Sequence, residues 1–286
     1  MEFLQPTTWA DALAAKAEHP HAVPIAGGTD VMVGLNFGHP APPALLDLTA
    51  IDELAGWSRA DGVIRLGAGV TYRQIIDELS RELPALAVAA RTVGSPQIRN
   101  RATVAGNLGT ASPAGDAHPP LLVAGAVVEA ASVRGTRLID IDAFFLGPKR
   151  NALAPDELIR AVQVPVAAGP AQFAKVGPRN AMVIAVCSAA VALDPAQRLI
   201  RAAIGSAAPT PRRALAAEAF GRDALPWSGG ALTDELAREF GARLAADAAP
   251  IDDVRGTAAY RRLALSVLGR RLLRWAWTDW TGGGAG

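Results

Sequence analysis

Cysteine is the scarcest residue type in this 286-residue chain, with Cys187 standing alone. One thiol cannot close an internal disulfide, nor can it hold an iron–sulfur cluster, which commonly takes four thiolates. Cys187 sits in the run MVIAVCSAAVAL, where a small buried hydrophobe is the simpler reading than a catalytic thiol. Histidine is also sparse. His19, His21, His39 and His118 fall in Pro- and Gly-rich stretches without the spacing of metal ligands, so no metal site is expected. An excess of one charge sign is missing as well: the net charge is +1 and neither end carries an acidic or basic tail, which gives no electrostatic footprint for nucleic acid. Nor is there a long hydrophobic run. The longest, Ala181 to Leu193, is interrupted by Ser188 and falls short of the ~20 residues that span a bilayer, so it reads as a buried element. The N-terminal stretch MEFLQPTTWADALAAK lacks the basic flank and apolar core of a secretory signal. Together these absences predict a cytoplasmic protein with no membrane span.

What is present is globular: half the residues are hydrophobic and 19% are charged, enough for one large domain or two ordinary ones. Thr8 and Asp11 open a helix that runs through Ala17 and ends before Pro20. VPIAGGTD, ALLDLT and VIRLGAG read as short strands bounded by turn residues. Thr71 with Gln74 forms a capping box for a helix whose apolar face carries Ile75, Ile76, Leu79 and Leu83. Thr92 to Pro120 is a long Gly-, Ala- and Pro-rich stretch with few helical signals, and loops of that length are usually functional. VVEAAS and RLIDI pair as a hairpin around Arg134-Gly135. Beyond IRAVQVP, the segment AAGPAQ marks a junction, and QFAKVG, MVIAVCSAAVAL and LIRAAIGS follow as strands of an antiparallel sheet. Two amphipathic helices come next, one with Leu232, Leu236, Phe240 and Leu244, the other with a stripe of Leu265, Leu268, Leu272 and Trp275. WTGGGAG ends the chain as an expected frayed tail. Mixed elements followed by strands and then helices predict an α+β protein of two domains, residues 1–170 and 171–286.

Two glycine motifs carry the chemistry. Ala26-Gly27-Gly28-Thr29-Asp30 follows the strand at Val23 to Ile25, and its glycines let successive backbone N–H groups form a concave anion site. It is not the G-x-G-x-x-G dinucleotide fingerprint, and on its own it also fits an ordinary turn. The second motif, Gly94 to Asp116, sets small residues at Ala102, Ala105, Gly106 and Gly109 beside neutral hydrogen-bonding groups on Thr103, Asn107, Thr110 and Ser112. Asp116 is placed to accept from a ribose hydroxyl. That mix suits a large neutral-plus-phosphate ligand better than a metal or a nucleophilic triad.

The stretch IRNRATVAGNLGTASPAGDAHPPLLVAGAVVE resembles the FAD-binding subunits and domains of the molybdenum hydroxylases, a family that includes xanthine dehydrogenase and the medium subunit of carbon monoxide dehydrogenase. AGGTD is similar to that family's first pyrophosphate loop and TVAGN to its second; FAKVGPRNAMVIAVCSAAVAL resembles the start of its C-terminal domain, and PTPRRALAAEAF a later run. The four motifs come in family order and extend the resemblance from residue 1 to about 275.

The resemblance implies a two-subdomain FAD-binding domain followed by a smaller C-terminal domain of antiparallel sheet and helices. It implies that Ile25, Ala26, Gly27, Gly28, Thr29, Asp30 and Val31 wrap the FAD diphosphate. Ala102, Thr103, Gly106 and Asn107 would contact the diphosphate and nearby flavin atoms, and Asp116 the ribose. Ile159 falls where an aliphatic residue packs near the isoalloxazine, and Lys175 where a lysine sits near the flavin, favouring its reduced anion. Two positions depart from the family: Ala105 replaces a glycine, and Val93 stands where xanthine dehydrogenases carry an aromatic beside adenine. No catalytic residue is implied on this chain. Molybdopterin and the [2Fe–2S] clusters would belong to a large and a small partner subunit, in a dimer of heterotrimers. Two other readings stay open on residues alone: a self-contained flavin oxidase or dehydrogenase, which needs a larger substrate cap than the ~110 residues after the FAD region, and a non-enzymatic α+β binding module.

Overall fold

The computed structural model describes residues 1–282. The chain begins with a three-stranded parallel sheet in the order Glu2–Leu4, Ala44–Asp47, Val23–Ile25. Parallel pairing requires crossovers, and the helix Trp9–Glu18 supplies the first. Its start follows the capping logic of the sequence: Thr8 Oγ1 accepts from Asp11 N. Pro24 is tolerated because Val23–Ile25 is an edge strand, where a missing N–H breaks no ladder.

A five-stranded antiparallel sheet forms the second layer, in the order Trp57–Ala60, Val63–Gly67, Leu158–Pro165, Val127–Ser132, Gly135–Asp140. The last two strands are the expected hairpin, closed at the Ser132–Gly135 pair. A bulge between Ile159 and Ala161 interrupts the pairing with Val127–Ser132, leaving Arg160 free to accept from Ala68 N through its carbonyl. This bulge lies where the sheet meets the groove described below.

The C-terminal sheet is antiparallel, in the order Ala171–Val176, Cys187–Asp194, Leu199–Gly205, Arg212–Arg213. Its central strand is apolar on both faces because both are covered. Cys187, Ala189, Val191 and Leu193 point into a core shared with the helices Asp234–Ala246 and Ala258–Gly282, while Ala190, paired with Ala203, joins the N-terminal core. Small residues on that second face let the helix His118–Ala124 come close: a Cβ on Gly205 would lie 2.6 Å from Ser188 Oγ and 3.0 Å from Pro119. Burial pushes the Cys187 thiol up to about 12, as befits a core hydrophobe. No described helix is long and apolar enough to cross a membrane.

Several expectations need correction. Thr92 to Pro120 is not a loop: it contains the helices Pro96–Arg99 and Val104–Thr110 and the start of His118–Ala124. These short helices are set by caps on Ser95 and Thr103 and by prolines in the first turn, not by apolar periodicity. The helix opened by the capping box stops at Glu78, and Leu83 instead caps a separate helix, Pro84–Thr92, although Ile75, Leu79 and Leu83 are all buried. In MVIAVCSAAVAL only the residues from Cys187 onward are strand. Trp275 is 45% exposed, one position off the stripe, while Trp277 is buried and donates from Nε1 to Gly230 O. Within WTGGGAG, residues 280–282 complete the last helix, and 283–286 lie outside the described residues.

Candidate functional site

The two glycine motifs face each other across a groove of about 670 Å³, inside the ~300–1,000 Å³ range of small-molecule sites. The first lip begins where Val23–Ile25 ends, with Leu48 N closing onto Ile25 O at 2.9 Å. Gly28 then takes φ +74°, a left-handed turn that aims the backbone into the short helix Val31–Asn36. Gly27 serves a different purpose. A Cβ there would lie 2.0 Å from the carbonyl oxygen of Arg101, so the two motifs touch backbone to backbone at this point.

The second lip is built on Thr103, whose Oγ1 accepts from Gly106 N at 2.9 Å and caps Val104–Thr110. Tyr72 N donates to Ala102 O at 2.9 Å, tying this lip to the helix Tyr72–Glu78. Thr110 Oγ1 donates to Asp30 Oδ2 at 2.8 Å, a side-chain link between the two motifs.

Of the residues singled out in the sequence, Ala26, Gly27, Gly28, Thr29, Asp30 and Val31 line the groove from one side. Ala102, Thr103, Gly106 and Asn107 line it from the other, with Asp116 and Ile159. Ile25 and Lys175 do not line it. Ile25 is the last residue of its strand, with its carbonyl taken by Leu48.

Lys175 lies behind Asp116. Its ammonium donates to Asp116 Oδ2 at 2.5 Å, Thr92 O at 3.0 Å and Val183 O at 3.1 Å. Those acceptors use all three N–H groups, so Lys175 reaches the groove only through the carboxylate it pairs with. Burial pushes the Asp116 carboxyl above its ordinary range, and the Lys175 charge and the Thr92 hydroxyl pull it back only in part.

Three groups escaped the sequence reading. Lys16 is buried against the groove, donating to Ala22 O at 2.7 Å and Pro20 O at 2.8 Å. Desolvation lowers its pKa, with Asp156 acting in the opposite sense. Its position four and seven residues from the buried Ala12 and Trp9 was a visible sign that it shares their inward face. His118 is not in a loop but opens a helix, fully buried beneath the second lip, with its ring 4.6 Å from that of Phe145. Its Nε2 lies 3.3 Å from Asn107 O, and since a carbonyl only accepts, Nε2 carries the proton. Burial pulls this imidazole down to about 4, against the effect of the Asn107 and Ser112 carbonyls. Tyr72, the third, also lines the groove.

Three buried polar atoms of the groove wall have no partner in the protein: Tyr72 Oη, Asn107 Oδ1 and Asp116 Oδ1. Leaving such an atom unpaired costs about 1–3 kcal/mol, so three in one groove point to a ligand that carries both donors and acceptors.

A family model described as the FAD binding domain in molybdopterin dehydrogenase matches residues 1–167, and one described as the CO dehydrogenase flavoprotein C-terminal domain matches residues 172–276. The chain is similar to a xanthine dehydrogenase FAD-binding subunit of Escherichia coli, 37% identical over 227 residues, covering 76% of this chain and 77% of that one. It is also similar to the nicotine 6-hydroxylase medium subunit of Paenarthrobacter nicotinovorans, 30% identical over 281 residues and 96% of each chain. Among solved structures, it resembles carbon monoxide dehydrogenase from Hydrogenophaga pseudoflava in a form lacking the Mo-pyranopterin moiety of the molybdenum cofactor. The TM-score is 0.88, with 27% identity and 98% of each chain covered.

Proposed function

The chain belongs to the flavoprotein subunits of the molybdopterin dehydrogenases, and on that premise we propose that the groove holds one FAD through which electrons pass from a partner subunit to an external acceptor. The observation that carries this reading is the joint lining of one groove by both glycine motifs, with three unpartnered polar atoms in its wall. These residues fit FAD. Its ribityl and ribose hydroxyls offer donors to Asp116 Oδ1 and Asn107 Oδ1, and its oxygens offer an acceptor to Tyr72.

Bound FAD would supply one- and two-electron transfer. The protein's part is binding and orientation. Backbone N–H groups of Gly27, Gly28, Thr29 and Asp30 would donate to the diphosphate, with Ala26 and Val31 flanking them. Thr103 accepts from Gly106 N and so keeps its hydroxyl proton for a phosphoryl oxygen; Ala102 and Gly106 leave room for that approach. Ile159 would press an aliphatic surface against the ring. Ile25 and Lys175 would act indirectly, the first by ending the strand beneath the diphosphate loop, the second by fixing the Asp116 carboxylate.

In this reading residues 1–170 form the FAD-binding unit and 171–286 the C-terminal unit. Substrate oxidation belongs to a large molybdopterin subunit, and [2Fe–2S] clusters to a small one, since Cys187 alone cannot ligate a cluster. We expect a dimer of heterotrimers in the cytoplasm, which the mass of the intact complex would check. The cofactor assignment is tested by heating the purified subunit and chromatographing the released flavin. FAD is expected; FMN as the sole product would refute the reading.

A further inference from the structure

Tyr72 is among the largest fully buried side chains of the molecule, 1% exposed, and its hydroxyl meets no protein partner. Its backbone is fixed from two sides. Thr71 and Gln74 cap the helix it begins, and its N–H is held by Ala102 O, one residue before the Thr103 cap of the second lip. Tyr72 therefore lines the groove beside the second motif, as do Ala68 and Ala102. Burial first, then the carboxylates of Asp116 and Asp30, hold the phenol well above its ordinary range, so the hydroxyl keeps its proton. Those two carboxylates belong to different motifs, and Tyr72 bonds to neither. A tyrosine buried for packing alone would be better served by phenylalanine, since an unpaired buried hydroxyl destabilises the fold.

We propose that Tyr72 is a direct contact of the cofactor, its hydroxyl donating a hydrogen bond to an oxygen of the ribityl–diphosphate chain that links the two ring systems. The inference rests on the FAD reading above. Asp30 of the first motif and Asp116 at the end of the second line the same groove as Tyr72. A neutral donor there can serve a hydroxyl or a phosphoryl oxygen without adding charge.

The test separates this role from a structural one by requiring effects of opposite sign. FAD affinity of the apo-subunit is measured by titration for the natural protein and for Tyr72→Phe, together with the thermal unfolding midpoint of both apo-proteins. Binding of FAD by the natural protein checks the functional reading independently of the variant. Tyr72→Phe is expected to weaken FAD binding by about 2- to 12-fold, the loss of one neutral hydrogen bond, while the apo midpoint stays equal or rises. Unchanged affinity in the variant would overturn the proposal, because the hydroxyl would then be satisfied by water in both states. A lower apo midpoint, or failure of the variant to fold, would overturn it too, since the hydroxyl would then be holding the protein rather than the ligand.

Discussion

His118 is a buried neutral base in a place where the sequence offered only a histidine between an alanine and two prolines. Its folded pKa of about 4 lies below the ordinary 6.5. Between those values the unfolded chain therefore binds a proton that the fold refuses. The associated stability is complete above about pH 6.5 and is lost as pH falls toward about 4. From about pH 7 to pH 5 the loss amounts to about 2 kcal/mol. Urea midpoints at those two pH values should show it in the natural protein and not in His118→Asn; equal pH slopes in the two would contradict the assignment. Other residues were read more accurately in kind than in cause. At Gly28 a Cβ would meet only Ile25 and Met32 within the protein, at 3.6 and 3.7 Å, and the constraint the fold itself imposes is the left-handed φ. Gly27 carries the steric demand instead, against the Arg101 carbonyl. The positive charge expected beside the flavin from Lys175 is balanced by Asp116 before it reaches the groove. Resemblance locates such residues along the chain, but pairings between residue 116 and residue 175 are set by the packing of separate sheets, which no local pattern encodes.

Elements were legible wherever a cap or a period marked them. The Thr8 and Thr71 caps, the hairpin and the antiparallel C-terminal sheet all follow sequence signals that depend on neighbours within four residues. The short helices within Thr92 to Pro120 did not, because four to seven residues are too few turns for an apolar stripe to be counted. The long C-terminal helix misled differently: its buried face drifts along 25 residues, so a stripe read through Leu272 ends on exposed Trp275 rather than on Ala276 and Trp277. That helix crosses Asp234–Ala246 at a glycine contact. A Cβ on Gly241 would lie 2.2 Å from Ser266 O and 3.0 Å from Arg270 N, both backbone atoms, whereas one on Gly269 meets Gly241 Cα at 3.1 Å. Gly241→Ala should therefore force the helices apart and cost at least about 1–3 kcal/mol, more than Gly269→Ala. Denaturant midpoints would rank them, and FAD content per folded chain should be unchanged in both. A Gly241→Ala protein as stable as the natural one would show that this crossing is looser than its backbone contacts imply.

At the scale of the whole molecule, both glycine motifs line one groove, and the relay reading rests on that arrangement. The subunit alone should not be reduced by the physiological substrate, yet its flavin should accept electrons from small artificial donors. Mixing substrate with the FAD chain, with and without the cluster and molybdenum subunits, gives the measurement: flavin absorbance should bleach only when all three polypeptides are present. Bleaching with this chain alone would move the substrate site onto it. The groove also crosses the two parts of the sequence. Both glycine lips are complete by residue 116, but Val183 and Ile184 line the groove as well, and Lys175 pairs with Asp116. A nascent chain emerges N-terminus first, so a ribosome halted before residue 175 would hold both diphosphate loops with a buried carboxylate uncompensated and the pocket open. The lining that the two lips share with Val183 and Ile184 is therefore complete only once the chain has passed the first strand of the C-terminal sheet.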